Sequence, residues 1–414
     1  MLSRRRLLNG IAAGGALGLG GMAALPGARA ASSALFGSSG LRNIHVVLEE
    51  SFWDPSPLTA TGVAQSPIDP RFLQLWAASG YTRALSPAFA GQTANAEFEI
   101  LTGFPLDRAS VKFEEGFNDH VPALPHLLRE IGYRAVASHP NSPGFWNRQV
   151  AYQKLGFETF WSLPDFIQDD MAGPFLSDKS LHAQVGEKLA NTADGRPVFD
   201  YIVTFYGHWA YDASKFRPQV ISTKSHVDEV QAYVNTVHYK SQEMMDAVAH
   251  IQASDPDSII ILFGDHLPIL GQQFAGYVES GFLAKSFGDF TPDMYARSTA
   301  TPLIVIDGQK GPLKLGNVPM YRLGRVLLDL IAYDRPSMLD LALPPSQNLK
   351  DTVLRPLPGV VVSYRPDGLD QARVCLPDQP ADQDAEVVAW LKDVKLIAAD
   401  IFDGRKYALR AISA

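Results

Sequence analysis

Four apolar, β-branched stretches are each followed at once by an acidic residue or a histidine. They are Ile44 to Leu48 with Glu49-Glu50-Ser51, Tyr133 to Ala137 with His139, Phe199 to Phe205 with Gly207-His208, and Ser258 to Phe263 with Gly264-Asp265-His266. Short apolar runs of this kind are typical of buried strands. Because ligands bind beyond the carboxyl ends of the strands in open α/β sheets, the four strand ends predict one shared polar crevice.

Helical patterns lie between these strands. The longest runs from about His226 to Ala253 and has an apolar stripe, which predicts a helix packed on a sheet; its members are Val227, Val230, Val234, Val237, Met245 and Val248. Strands that alternate with helices predict an α/β fold with a mostly parallel central sheet and helices on both faces. After the Pro-rich stretch from Pro344 to Pro366, the sequence predicts a small β-rich C-terminal tail.

The first thirty residues are basic and contain no acidic residue. Ser3-Arg4-Arg5-Arg6-Leu7-Leu8 is a twin-arginine pattern, and a Gly/Ala/Leu run and the small-x-small sequence Ala28-Arg29-Ala30 follow it. The alternative is a single membrane anchor, but the run is short and Gly-rich beside the ~20 strongly apolar residues that a span needs. We therefore expect a signal peptide for twin-arginine export to the periplasm at 1–30 and a linker at 31–42. One large domain should follow at 43–344, with a C-terminal extension packed on it at 345–414.

Charge and cysteine content exclude several classes of protein. The chain of 414 residues has a net charge of −8, which argues against a nucleic-acid partner because binding phosphates needs a basic face. Its single cysteine, Cys375, excludes a disulfide framework and Cys-rich zinc or iron–sulfur sites.

Three residues at the strand ends are candidate metal ligands. Asp265 and His266 offer an oxygen and a nitrogen side by side, and Glu50 adds a second oxygen. Such a set suits Mn²⁺, Zn²⁺ or Mg²⁺ and leaves a coordination position open. The alternative is structural, with Asp265 as a cap and His266 as a buried, hydrogen-bonded histidine.

Thr93 lies in the segment Gly91 to Glu97, where a loop leads into a helix. One interpretation is a helix N-cap. In the other, the hydroxyl at the positive end of the helix faces a phosphate and, beside a divalent cation, becomes a nucleophile. The spacing does not decide between these two interpretations.

A second cluster contains His139 and the segment Phe145-Trp146-Asn147-Arg148. Trp146 and Arg148 can supply a planar wall and a forked cation for a phosphate or a polyol, or they are a core tryptophan beside a surface arginine. His208 either protonates a leaving oxygen or only fills a loop.

The order of these segments resembles the lipoteichoic acid synthase and phosphoglycerol transferase family of the alkaline phosphatase/sulfatase superfamily. The resemblance covers about residues 43–407. It is carried by Glu49-Glu50-Ser51-Phe52-Trp53, by Gly91-Gln92-Thr93, by the Phe-Trp-Asn-Arg segment with its upstream His139, and by Gly207-His208 and Gly264-Asp265-His266.

The resemblance implies a catalytic domain at 43–344, with Glu50, Thr93, Asp265 and His266 around one ion, most often Mn²⁺. It also places His139, Trp146, Arg148 and His208 around a glycerophosphate group. The implied enzyme transfers glycerophosphate from a glycerophospholipid to a glycan hydroxyl through Thr93, assisted by His208. The glycerophospholipid donor also implies peripheral contact with a membrane. Two alternatives remain, a phosphodiesterase or sulfatase-like hydrolase that uses water as the acceptor, and a binding protein of the same fold without turnover.

Overall fold

The structure, a computed structural model, describes residues 40–63, 66–211, 215–344 and 352–413. The predicted signal peptide and most of the predicted linker lie outside the described residues. The strands are β1 (Ile44–Glu49), β2 (Arg83–Leu85), β3 (Arg134–Ser138), β4 (Thr159–Trp161), β5 (Met171–Ala172), β6 (Phe175–Leu176), β7 (Val198–Val203), β8 (Ile259–Gly264), β9 (Ala300–Asp307), β10 (Gly311–Pro312), β11 (Asn317–Pro319), β12 (Val353–Leu357), β13 (Val360–Arg365) and β14 (Gly368–Cys375).

The helices are α1 (Pro70–Ala78), α2 (Thr93–Thr102), α3 (Lys112–Glu115), α4 (Leu124–Glu130), α5 (Arg148–Leu155), α6 (Asp178–Asn191), α7 (Asp228–Ser254), α8 (Ala275–Val278), α9 (Pro292–Thr299), α10 (Met320–Leu330), α11 (Ala385–Phe402) and α12 (Tyr407–Ser413). In the described part of the chain, none of these helices has the length and apolar content that a membrane-spanning helix needs.

The central sheet has the strand order β11-β2-β9-β8-β1-β7-β3-β4, with β10 paired to β9. Strands β8, β1, β7, β3 and β4 pair in parallel, and β9 runs antiparallel to both of its neighbours β8 and β2. The predicted α/β fold with a mostly parallel sheet is confirmed.

Helices cover both faces of this sheet. Along β1, Ile44, Val46 and Leu48 pack into the core under α2, α4, α10 and α11, whereas Val47 packs into the core under α1, α6 and α7. Because both faces are covered, the strands are apolar at nearly every position. The predicted stripe of α7 lies in the second core, except that Val227 is only half-buried.

The C-terminal segment contains the predicted β-structure, but a long helix that was not predicted follows it. Strands β12, β13 and β14 form a three-stranded antiparallel sheet. Arg355 of β12 is fully buried and forms an ion pair with Glu99 of α2, with Nη1 2.5 Å from Oε2. The sequence prediction omits α11, although this helix buries an apolar stripe that includes Val387, Trp390 and Val394.

Candidate metal centre

The four predicted strand ends meet at one edge of the sheet. Strands β8, β1, β7 and β3 are successive neighbours and run parallel, so the residues after each of them lie side by side. The predicted meeting of the four strand ends at one edge is therefore confirmed.

Two glycines let these ends pack closely. A Cβ atom on Gly264 would lie 1.9 Å from the carbonyl oxygen of Phe52, a distance that no side chain tolerates. Gly207 has a φ of +101°, and its Cβ would lie 3.2 Å from the carbonyl oxygen of Glu50. Glycine is thus required where β8 ends and favoured in the loop that carries His208.

Glu50, Asp265 and His266 converge at this edge. One ligand atom from each lies within 4.8 Å of the others, and all three side chains are buried. His266 Nε2 lies 3.1 Å from Asp265 Oδ2 and 3.8 Å from Glu50 Oε1. Nδ1 of His266 lies 3.0 Å from the carbonyl oxygen of Leu267, so Nδ1 carries the proton and Nε2 presents its lone pair to the two carboxylates.

This arrangement leaves buried lone pairs without a donor. Neither Asp265 Oδ2 nor His266 Nε2 has a hydrogen-bond partner in the described structure. Burial raises the pKa of the Asp265 carboxyl to about 7, and the neighbouring negative charge of Glu50 adds to this effect. A cation between the three side chains satisfies every one of these atoms, so the residues fit a divalent metal ion. The contact of His266 Nδ1 with Leu267 leaves Nε2 for this role, and metal binding by the three residues remains a prediction.

The two adjacent glutamates have different partners. Glu49 is fully buried, and its Oε2 lies 2.8 Å from Nζ of Lys240 on α7. Glu50 accepts a hydrogen bond from the hydroxyl of Ser51 and faces Asp265 and His266. Of the doublet, Glu50 is thus the residue in the cluster, as the sequence predicts.

Thr93 is the first residue of α2, and its hydroxyl donates to Oε2 of Glu50 at 3.2 Å. The residue before it, Gln92, has a φ of 66° and makes no side-chain cap. The N-cap interpretation of Thr93 is therefore wrong. The start of the helix instead places the Thr93 hydroxyl against the acidic cluster, and its role as a nucleophile remains a prediction.

His139 and His208 each have Nδ1 in contact with a backbone carbonyl oxygen. Nδ1 of His139 lies 3.0 Å from the carbonyl oxygen of Val203, and Nδ1 of His208 lies 2.6 Å from that of Trp209. Because carbonyl oxygens only accept, both rings carry a proton on Nδ1. Nε2 of His139 is buried and has no hydrogen-bond partner among the described residues. Burial, followed by the charge of Arg148, lowers the pKa of His139 well below its ordinary value, so this ring is neutral and its Nε2 is an acceptor.

Arg148 is buried rather than exposed. Its Nε and Nη2 donate to Oε1 of Glu97 at 2.9 and 2.6 Å, and Nη1 donates to the carbonyl oxygen of Phe145 at 3.3 Å. Trp146 is half-buried, stacks at a tilt on Phe145, and has a φ of 55° that is rare for a bulky residue. The surface-arginine interpretation is wrong, and binding of glycerophosphate by this pair remains a prediction.

Sequence reasoning missed several residues that support the site. Ser51 bonds two of the candidate ligands, Glu97 pairs with Arg148, and Lys240 pairs with Glu49. Lys240 had a detectable signal, because it interrupts the apolar stripe of α7 at helical spacing from Val237 and Met244. Glu97 had no such signal, since an acidic residue near the start of a helix is common on exposed surfaces.

A comparison with protein families matches the sulfatase family model over residues 42–314. A protein of Rhizobium meliloti (strain 1021), named for the modification of cyclic beta-1,2-glucan, is 30% identical over 308 residues, which cover 72% of this chain and 47% of that protein. The lipoteichoic acid synthase of Staphylococcus saprophyticus is 24% identical over 185 residues. These residues cover 43% of this chain and 28% of the length of the synthase. The chain thus spans about half or less of these relatives.

Two solved structures share the fold. The lipoteichoic acid synthase LtaP of Listeria monocytogenes has a TM-score of 0.64 and 19% identity, and covers 91% of this chain and 94% of its own. The phosphoglycerol transferase GacH of Streptococcus pyogenes, solved with sn-glycerol-1-phosphate, has a TM-score of 0.64 and 18% identity, with coverages of 99% and 96%.

Proposed function

The chain belongs to the sulfatase family of enzymes, and we propose that it is a periplasmic, metal-dependent phosphoglycerol transferase. It takes glycerophosphate from a glycerophospholipid, such as phosphatidylglycerol, and transfers it to a hydroxyl of a glycan. Thr93 carries the group between the two substrates, and twin-arginine export delivers the protein.

The observation that carries this proposal is the convergence of Glu50, Asp265 and His266 on the hydroxyl of Thr93. These residues would hold one divalent ion, for which Mn²⁺ is our choice because the set combines two hard oxygens with one imidazole. When bound, such an ion lowers the pKa of a neighbouring hydroxyl and offsets negative charge on phosphoryl oxygens.

In the first step, Thr93 Oγ1 attacks the phosphorus of the donor. The hydroxyl proton leaves along the existing hydrogen bond toward Glu50. The bond from phosphorus to the diacylglycerol oxygen breaks, and this oxygen takes a proton from His208 Nε2 in its imidazolium form. Glycerophosphate is then esterified to Thr93.

In the second step, a glycan hydroxyl attacks the same phosphorus. Neutral His208 takes the hydroxyl proton at Nε2, the atom that its contact with the Trp209 carbonyl leaves free. Thr93 leaves as an alkoxide and recovers its proton, so the enzyme returns to its first state with atoms and charges balanced.

His139 and Arg148 support a glycerol-bearing donor. The buried, neutral Nε2 of His139 accepts from a hydroxyl and does not attract an anion, which suits glycerol better than phosphate. Arg148 has five N–H groups and spends three on Glu97 and Phe145, so two remain for phosphate oxygens. The glucan-related name of the Rhizobium relative supports a glycan as the acceptor.

Mass spectrometry of the protein after incubation with phosphatidylglycerol and Mn²⁺ tests the proposal. We expect glycerophosphate on the Thr93 peptide of the wild type and none on Thr93→Ala. Addition of a periplasmic glucan should discharge the label onto the sugar. Release of free glycerophosphate at the same rate with and without the glucan would instead indicate a hydrolase, and an unlabelled wild type would contradict the proposal.

A further inference from the structure

A buried lysine joins two of the strand ends that form the site. Lys240 on α7 is almost fully buried, and its Nζ lies within hydrogen-bond distance of four oxygens. These are Oδ2 of Asp178 at 2.7 Å, Oε2 of Glu49 and Oγ1 of Thr204 at 2.8 Å, and the carbonyl oxygen of Tyr206 at 2.9 Å. We call this set the Lys240 hub.

The hub contacts both sides of the candidate centre. On the β1 side, Thr204 Oγ1 accepts the backbone N–H of Glu50 at 2.9 Å, and Glu49 directly precedes Glu50. On the β7 side, the carbonyl of Tyr206 is two residues from His208. The ammonium group is therefore the common partner of the segment that carries a candidate metal ligand and of the segment that carries the candidate acid.

Lys240 also packs against the loop that carries His208. Gly207, between Tyr206 and His208, has a φ of +101°, and its Cβ would lie 3.4 Å from Cδ of Lys240. Although burial lowers the pKa of Lys240, Asp178 and Glu49 more than offset this and raise it above its ordinary value, so the lysine stays charged. A charged donor holds its acceptors more strongly than a neutral one.

We propose that Lys240 is a positioning residue for phosphoryl transfer, which fixes the His208 loop at a set distance from Glu50. The inference rests on the proposed role of His208 as the acid for the leaving group. It gives Glu49 a function distinct from that of Glu50, as the anchor of Lys240 on β1. Since misplacement of a catalytic group by about 1 Å can cost a hundredfold in rate, loosening the hub should mainly reduce proton transfer.

The test compares two ways of loosening the hub. Thr204→Val removes the hydroxyl that links Lys240 to the Glu50 backbone and preserves side-chain shape. The combined variant Lys240→Met, Glu49→Gln, Asp178→Asn removes the charges together, because removing only one would leave buried charges unpaired. Thr236→Val is the matched control. Thr236 is a buried threonine of α7 whose hydroxyl, among the described residues, bonds Ala232 of its own helix, and valine keeps the methyl group that faces Gly207.

Each variant is assayed with nitrophenyl and phenyl phosphodiesters, because phenol is the poorer leaving group and depends more on an acid. We expect kcat on the phenyl ester to fall by about tenfold to a hundredfold in both hub variants. The nitrophenyl ester should lose much less, while KM and all values for Thr236→Val stay near those of the wild type. All assays use saturating Mn²⁺, because Thr204→Val also removes the acceptor of the Glu50 N–H and can weaken metal binding.

Equal losses on the two esters, or no loss on either, would overturn the positioning role. If the combined variant does not fold, Thr204→Val carries the same comparison alone. Turnover of phosphatidylglycerol by the wild type is measured separately. A wild type that cleaves the aryl esters but not this lipid contradicts the proposed donor and leaves the Lys240 comparison valid; one that cleaves neither contradicts both.

Discussion

The backbone N–H of Ser51 donates to Oδ1 of Asp265 at 2.7 Å, from a residue 214 positions away in the chain. The hydroxyl of Ser51 donates to Oε1 of Glu50 at 2.8 Å. Ser51 has a φ of 51°, in the left-handed region that costs a non-glycine residue free energy. One strained residue therefore orients both carboxylates of the candidate centre.

We predict that Ser51→Ala weakens Mn²⁺ binding by about tenfold or more. The hydroxyl bond to Glu50 is lost while the N–H bond to Asp265 remains, and partners of metal ligands typically contribute about 10–100-fold to affinity. Isothermal titration calorimetry with Mn²⁺ measures the change. Ser56→Ala is the control, because the exposed Ser56 bonds only Asp54; equal dissociation constants for Ser51→Ala and the wild type would contradict the prediction.

Thr93→Ala should abolish turnover and leave the protein folded, at a cost of about 1 kcal/mol for the lost hydrogen bond to Glu50. Thr93 does not cap α2, so no capping hydrogen bond is lost. Thr291 does cap α9, because its side chain accepts from the N–H of Met294, and Thr291→Ala should cost about 1 kcal/mol without loss of turnover. Urea denaturation measures the stability of both variants, and a phosphodiesterase assay measures their turnover. Thr93→Ser should keep some activity, because the hydroxyl is retained. A Thr93→Ala variant with wild-type turnover would remove Thr93 from the mechanism.

The sequence predicted the strands and the meeting of their ends because both depend on local patterns. Continuous apolar runs define the buried strands, and parallel pairing brings the polar residues after them to one edge. The partners of those residues could not be predicted in the same way. The contacts of Ser51 with Asp265 and of Arg148 with Glu97 join segments that are far apart in the chain, and no periodicity encodes such pairs.

The helix α11 shows a different limit. Its apolar positions have helical spacing, but the preceding Pro-rich stretch and two β-branched runs dominate the composition of the region. The helix α11 packs into the same core as the central sheet. The extension predicted at 345–414 contributes to that core through residues such as Trp390 and Ile397.

The buried ion pair of Arg355 with Glu99 joins this extension to α2, so removing one of its charges should lower the free energy of unfolding. Both side chains are fully buried, so Arg355→Met leaves a carboxylate without its partner and should cost about 3–5 kcal/mol. The double variant Arg355→Met, Glu99→Gln removes both charges and should recover part of this loss. Equilibrium unfolding in urea measures all three proteins, and a double variant no more stable than Arg355→Met would contradict the explanation.

Mn²⁺ affinity should fall as the pH decreases below about 7. Burial raises the pKa of Asp265 to about 7, so at lower pH the carboxyl binds a proton that the ion must displace. For one displaced proton, the dissociation constant rises by up to about tenfold for each pH unit below the pKa and levels off above it. Calorimetry at several pH values from about 5.5 to about 8.5, on both sides of that pKa, tests the sign. A constant affinity across this interval would contradict the prediction.

The final prediction concerns the selectivity that Arg148 gives. Arg148→Lys keeps a positive charge near Glu97, but an ammonium lacks the planar fork that binds Glu97 and offers parallel N–H groups to a phosphate. Loss of a charge-assisted bond of about 1.5–3 kcal/mol lowers kcat/KM for phosphatidylglycerol by about 10–150-fold. A nitrophenyl phosphodiester without glycerol should be less affected by Trp146→Ala than the lipid is.

Arg325→Lys serves as the control, because Arg325 likewise forms ion pairs, with Asp329 and Asp340, but lies on α10 away from the candidate site. Thermal unfolding of each variant shows whether the Arg148 pair also supports the fold, so that kcat/KM is compared only between folded proteins. If the lipid and the nitrophenyl ester lose activity equally, Arg148 and Trp146 support the structure without recognising glycerophosphate. The preferred reaction would then be hydrolysis of simple phosphodiesters, since the residues that distinguish a glycerol-bearing donor would have no such role.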